Sequence, residues 1–93
     1  MRAVVCRKWG GPESLTFEEM PEPGPLAPGQ VRISIRAAGI NFADTLMIQG
    51  RYQVKPEFPF SPGLEVAGTV IETATDVRRV NPGDRVMALL EAR

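Results

Sequence analysis

The chain has 93 residues, 43% apolar and 24% charged, with 11 Lys and Arg balanced by 11 Asp and Glu. This fits one small soluble domain with a single modest core, and it argues against a disordered chain or a basic nucleic-acid footprint. No apolar run approaches the roughly 20 residues of a membrane span, and Arg7-Lys8 interrupts the N-terminus too early for a signal-peptide core.

Histidine is absent and Cys6 is the only cysteine. Imidazole acid–base chemistry, an internal disulfide and the commonest metal ligand are all removed, and the cytoplasm is the simplest compartment.

Taken in order, Ala3, Val4, Val5 and Cys6 form a short apolar run read as a first strand, and Gly10 to Ser14 is dense turn chemistry. Leu15 to Glu18 alternates apolar and polar residues, so the first two strands should pair as an antiparallel hairpin. Residues 20–29 hold four prolines and two glycines and read as a connector, because proline removes ladder donors. From Gln30 to Ala38 the period is two: Val31, Ile33 and Ile35 share one side, Arg32, Ser34 and Arg36 the other.

Asn41 to Gln49 changes to helical spacing, with Phe42, Leu46 and Gln49 on one face and Ala43 and Met47 beside it. Asn41 suits the N-cap, Asp44 suits N3 at the positive end of the helix dipole, and Gly50 suits C′. Residues 55–63 carry Pro56, Pro59 and Pro62 and read as a rigid loop anchored by buried Phe58 and Phe60. Glu65 to Thr73 is a strand in which Gly68 marks a bend or a close backbone approach. Asn81 to Asp84 is a tight turn before a last strand from Arg85 to Leu90.

Five short strands and one helix favour a small β-barrel with the helix over one end, rather than a parallel α/β sheet. The chain ends three residues after Leu90 and the apolar run VMALL, where a barrel would continue, so a segment of a longer protein is expected. Polar chemistry is concentrated between Ala38 and Gly68. Asn41, Asp44, Tyr52 and Glu65 are expected to converge there on one cleft.

Five stretches in fixed order carry a resemblance: GGPESL after the first strand, PGPLAPGQV, AAGINFADTLMIQGRY, PFSPGLEVAGTV and NPGDRV. Together they resemble the N-terminal, GroES-like half of the medium-chain dehydrogenase/reductase superfamily, over essentially the whole chain. Within it the sequence is similar to the zinc-free quinone oxidoreductases, the zeta-crystallin group. The resemblance implies a GroES-like, partly open β-barrel with one short helix, truncated, spanning residues 1–93. The Rossmann cofactor domain of the family is absent from the chain, which has no G-x-G-x-x-G and no βαβ unit.

Zinc-dependent relatives place a cysteine near Asn41-Phe42 and Gly-His-Glu where this chain has Gly63-Leu64-Glu65. Both ligand positions are replaced, so no metal is expected. The implied chemistry is hydride transfer from NADPH to a quinone or an enone, with the carbonyl oxygen stabilised by neutral donors instead of zinc.

Asn41 is the first candidate donor, to the carbonyl or to the cofactor. Its residue type alone reads as an N-cap, and the resemblance adds the donor role. Tyr52 is a second donor or a substrate platform, against the plainer reading of a ring packed under the proline loop. Asp44 is assigned to orienting Asn41 or to proton delivery, against a helix-dipole role. Leu46, where many family members carry an aromatic residue, joins Tyr52 and Leu64 as the substrate wall. Glu65 should pair with Arg36 or Arg85, Cys6 should be a small core residue, and Arg51 a solvated loop charge.

Two rivals remain open on the sequence. One is a non-enzymatic binding module like the vesicle-protein relatives that keep the NFAD-like stretch. The other, less favoured, is a co-chaperonin, which lacks the GINFADT helix. Unpaired strand edges imply self-association of the chain.

Overall fold

The computed structural model describes residues 1–90. The element order is β1 (Arg2–Val5), a 3₁₀ turn (Pro12–Ser14), β2 (Thr16–Glu19), β3 (Val31–Gly39), α1 (Phe42–Ile48), β4 (Glu65–Thr73) and β5 (Arg85–Leu89). The five expected strands and the helix are present, with β4 at its expected bounds. Among the described residues they form a two-stranded and a three-stranded sheet and no closed barrel. Two compact units result: residues 1–22, 39–64 and 90, and residues 23–38 with 65–89.

In the first unit β1 and β2 pair antiparallel, with Ala3 opposite Glu18 and Val4 opposite Phe17. One residue past β1, Cys6 forms an isolated bridge with Phe60, donating its N–H to Phe60 O at 2.7 Å and accepting from Phe60 N at 3.1 Å. That bridge fastens the proline loop to the hairpin. Val5, Cys6, Met47 and Ile48 are the buried apolar residues of this unit.

The buried side of α1 is Asp44, Met47 and Ile48. This corrects the face taken from apolar spacing: Phe42 is 76% exposed and Gln49 is on the surface, while a carboxylate is inside. Phe58 is also not a buried anchor. It is exposed, and packs in a tilted pair with Trp9 at 4.4 Å between ring centroids and stacks on Phe60 at 5.9 Å.

In the second unit the sheet order is β3-β4-β5, and β4 pairs antiparallel with β5 through Glu65 opposite Leu89, Ala67 opposite Met87 and Thr69 opposite Arg85. Because side chains alternate, Val66, Gly68 and Val70 share one side of β4, and Val70 is fully buried. Gly68 is the close approach expected of it: a Cβ there would lie 2.1 Å from the backbone oxygen of Ser34. On the side that Val31, Ile33 and Ile35 share, Val31 and Ile33 are half-buried and Ile35 is 58% exposed.

The proline connector is held by Arg32, which bonds Glu72 Oε1 at 2.9 Å and donates to the carbonyls of Pro23 and Gly24. A single side chain thereby satisfies carbonyls that a proline-rich segment cannot place in a ladder. The Asn81–Asp84 turn closes with Asn81 N–H to Asp84 Oδ2 at 2.9 Å, and Gly83 occupies it at φ 98°.

Candidate functional site

Helix α1 begins where β3 ends. Asn41 is the N-cap, in extended conformation at φ −124° and ψ 165°, and its side chain is exposed. Asn41 and Asp44 occupy the positions of a capping box, and the bond from the N3 side is well formed: Asp44 Oδ2 accepts the Asn41 N–H at 2.9 Å. The Asp44 N–H in turn donates to the Asn41 carbonyl at 3.0 Å.

The other oxygen of Asp44 reaches further. Oδ1 accepts the N–H of Gly63 at 2.9 Å, from a residue 19 positions along the chain. Asp44 is only 6% exposed, so both carboxylate oxygens serve main-chain donors inside the protein. Gly63 has φ 116°, a conformation in which a side chain is disfavoured, and an added Cβ would touch nothing within 4 Å. Glycine is therefore required there by backbone shape and not by space.

The helix ends at Gly50, φ 71°, whose N–H returns to Met47 O at 3.1 Å, while Arg51 N–H returns to Leu46 O at 2.9 Å. This turn launches the loop carrying Tyr52. Tyr52 is half-buried and forms no hydrogen bond with Asn41 or Asp44. Leu46 and Leu64 are half-buried, and the Leu64 carbonyl accepts Leu90 N–H at 2.7 Å.

Of the expected cleft, then, Asn41 and Asp44 are in direct contact, and Gly63, next to Leu64, is tied to them. Glu65 lies in the other unit, opposite Leu89, and ion-pairs with neither Arg36 nor Arg85, which corrects that expectation. Arg51 is exposed, as a solvated loop charge should be.

Cys6 is fully buried and donates its thiol to Lys8 O at 3.2 Å. Burial pushes the thiol pKa up, against a smaller opposing effect of the Lys8 main chain, so the core role expected of it holds and nucleophilic use is disfavoured. Among the described residues no group of three Cys, Asp or Glu could hold a metal ion, and no helix is long and apolar enough to cross a membrane. A concave groove lined by Pro25, Leu26, Pro28 and Thr73 in the second unit contains none of the sequence-predicted site residues.

Two features escaped the sequence reading. The Asp44–Gly63 bond joins distant segments, and its only sequence trace is a glycine after Pro62. The Trp9 cluster had a trace too: the one tryptophan precedes Gly10-Gly11 and faces a Phe-Pro-Phe loop.

Residues 27–92 match the family of the alcohol dehydrogenase GroES-like domain. The chain belongs to that family. Among curated relatives, this GroES-like domain is 46% identical over 88 residues to mouse quinone oxidoreductase-like protein 2, covering 95% of the chain and 24% of the relative. It is 39% identical over 90 residues to the human synaptic vesicle membrane protein VAT-1 homolog, covering 96% of the chain and 23% of the relative. Among solved structures, Escherichia coli quinone oxidoreductase complexed with NADPH aligns at TM-score 0.89 and 34% identity, over 99% of this chain and 28% of that one. The domain thus spans about a quarter of the length of the curated relatives it matches. These likenesses are those of the quinone oxidoreductase branch of the medium-chain dehydrogenase/reductase superfamily.

Proposed function

We propose that this domain is the substrate-side part of a zinc-independent, NADPH-dependent quinone or enone oxidoreductase, working in the cytoplasm. The observation that carries the reading is the Asn41 side chain, exposed at the N-cap of a helix whose first turn is locked by Asp44. NADPH-bound quinone oxidoreductase structures of the same fold support the choice of cofactor.

When hydride reaches the β-carbon of an enone, an electron pair moves onto the carbonyl oxygen, and the resulting enolate takes a proton from solvent. An amide N–H already in place stabilises that charge without reorganising, which is how preorganised donors accelerate such steps. Asn41 is assigned this role, Tyr52 is the second donor or platform, and Leu46, Tyr52 and Leu64 form the apolar wall.

NADPH, when bound, supplies the hydride. The sequence contains no G-x-G-x-x-G phosphate fingerprint, and Asn41, with both a donor and an acceptor on its exposed amide, is the residue of this chain that fits the cofactor's polar edge. The rest of its binding belongs to a nucleotide domain.

The test joins this chain to the nucleotide-binding half of a quinone oxidoreductase and follows NADPH oxidation with a quinone or an enone. Turnover dependent on this domain supports the reading. A folded, NADPH-binding fusion without turnover favours the second reading, a binding module, to which the likeness to the VAT-1 homolog gives weight.

We also propose that the 93-residue chain self-associates through β5, an edge strand on which Met87 and Leu89 are 88% and 86% exposed. A mass that falls on dilution, and falls already at higher concentration after Leu89→Lys, is the expected result. A monomeric mass at all concentrations would contradict it.

A further inference from the structure

We propose that Asp44 is the positioning residue of this site: its carboxylate holds the Asn41 end of α1 in fixed register with the Pro62–Gly63 turn and so with Leu64. The claim rests on the proposed function only for what is being positioned. The clamp itself stands on geometry.

A helix of seven residues is too short to define its own first turn, since nucleation is unfavourable and most helical stability comes from packing. Asn41 is outside the helical conformation and exposed, so its placement depends on whatever holds its backbone. That holder is Asp44 Oδ2. The same carboxylate, through Oδ1, takes the N–H of Gly63, which follows Pro62 at positive φ. Charge-assisted bonds of this kind are stronger than neutral ones, and their shared acceptor is buried.

The chemistry singles out aspartate. Two main-chain donors converge, and an ionised carboxylate is acceptor-only. Asparagine could accept one of them while aiming its own N–H₂ at the other. Glutamate adds a methylene that a buried position does not accommodate without movement. Alanine leaves the Asn41 and Gly63 donors without this acceptor. Asp44 thus acts through Asn41 and Gly63, in place of the proton delivery that its residue type also allowed.

Amide hydrogen exchange on the 93-residue chain tests the clamp without any turnover. In Asp44→Asn, exchange at Gly63 or Asn41, whichever bond is given up, should rise about tenfold or more, while Cys6 and Val70 amides hold their rates. Unchanged exchange at both positions would overturn the proposal. Should the variant fail to fold, a through-hydrogen-bond coupling between the Gly63 nitrogen and the Asp44 carboxyl carbon in the unaltered chain decides instead. Its presence supports the clamp and its absence overturns it.

In the fusion, Asp44→Asn should lower kcat about 10- to 100-fold with a smaller change in KM, as misplacement of a donor does. A fall in KM-based affinity alone would contradict a positioning role. An inactive unaltered fusion with a protected Gly63 amide would count against the proposed reaction and leave the clamp standing.

Discussion

The ring of Trp9 lies so close over Gly50 that a Cβ on that glycine would sit 2.9 Å from Cδ2 of the indole. Gly50 also holds φ 71°, so two separate constraints meet at the C-terminal end of α1. Beside them Gly10 N–H donates to Ile48 O at 2.9 Å, binding the residue after the tryptophan to the last turn of the helix. The loop that carries Tyr52 therefore starts from a point fixed by the Trp9-Gly10 segment that follows β1.

Gly50→Ala should destabilise the first unit by about 2–3 kcal/mol, from the left-handed backbone together with overpacking. Thermal melting should shift down by roughly 10 °C or more. In a Trp9→Ala background the overpacking part vanishes, so the cost of Gly50→Ala should fall by about 1 kcal/mol or more. Equal costs in both backgrounds would mean that the ring contact contributes nothing.

Gly68→Ala meets a harder obstacle, because the neighbour is backbone: the new Cβ would lie 2.1 Å from Ser34 O. β3 and β4 must then separate. About 3 kcal/mol or more is expected, above the ordinary range of overpacking. Loss of amide protection along the β3–β4 seam is the measurement, with the Val70 amide, which bonds Asp84 O at 2.9 Å, as the control; retained protection along that seam would contradict the approach.

Glu18 sets an acid limit on the hairpin. Arg7 bonds both of its oxygens at 2.7 Å, and the Thr16 hydroxyl bonds one of them. With Arg7 the largest cause and Thr16 next, the carboxyl falls from 4.5 to about 2. A lowered folded-state pKa stabilises above the unfolded value and is lost on acidification, so this contribution should disappear as pH falls from about 4.5 to about 2. Arg7→Met should flatten stability in that window, as followed by urea melts at successive pH values. An unaltered pH profile would remove the pair from the account.

Cys6 should be silent to thiol reagents. It is fully buried, and burial raises its pKa, so both access and thiolate fraction are low. Labelling by a disulfide reagent at neutral pH should be slow in the native chain and complete within minutes in denaturant. Rapid native labelling would contradict the bridge that covers it.

What could be read beforehand was what short-range chemistry determines. Asn41, Asp44 and Gly50 announced the two ends of α1 because capping depends on neighbours three or four residues away. Gly68 announced a close approach because few other roles suit a glycine inside a strand. The buried face of α1 could not be read the same way. Apolar spacing assumes that apolar groups go inside, whereas here Asp44 is buried on two main-chain donors and Phe42 is left outside. The Phe58 error is of the same kind: its partner is Trp9, nearly fifty residues earlier, and no local pattern encodes that contact.

The site was legible as a set of residues and not as a network. Asn41 and Asp44 were named in advance, yet the bond that connects them to Gly63 depends on how the chain returns. Glu65 was legible as the first residue of β4, but the register that sets it opposite Leu89 was not, because pairing depends on a strand twenty residues away.

The central claim, that a neutral amide takes over the charge a metal would meet, is tested most directly by Asn41→Asp in the fusion, with quinone-dependent NADPH oxidation as the readout. Aspartate keeps the N-cap preference and nearly the same shape but removes the N–H donor. The expected result is a loss of about 10²-fold or more in kcat, with melting temperature and NADPH affinity little changed. A variant that turns over as fast as the parent would show that the acceptor's charge is met elsewhere.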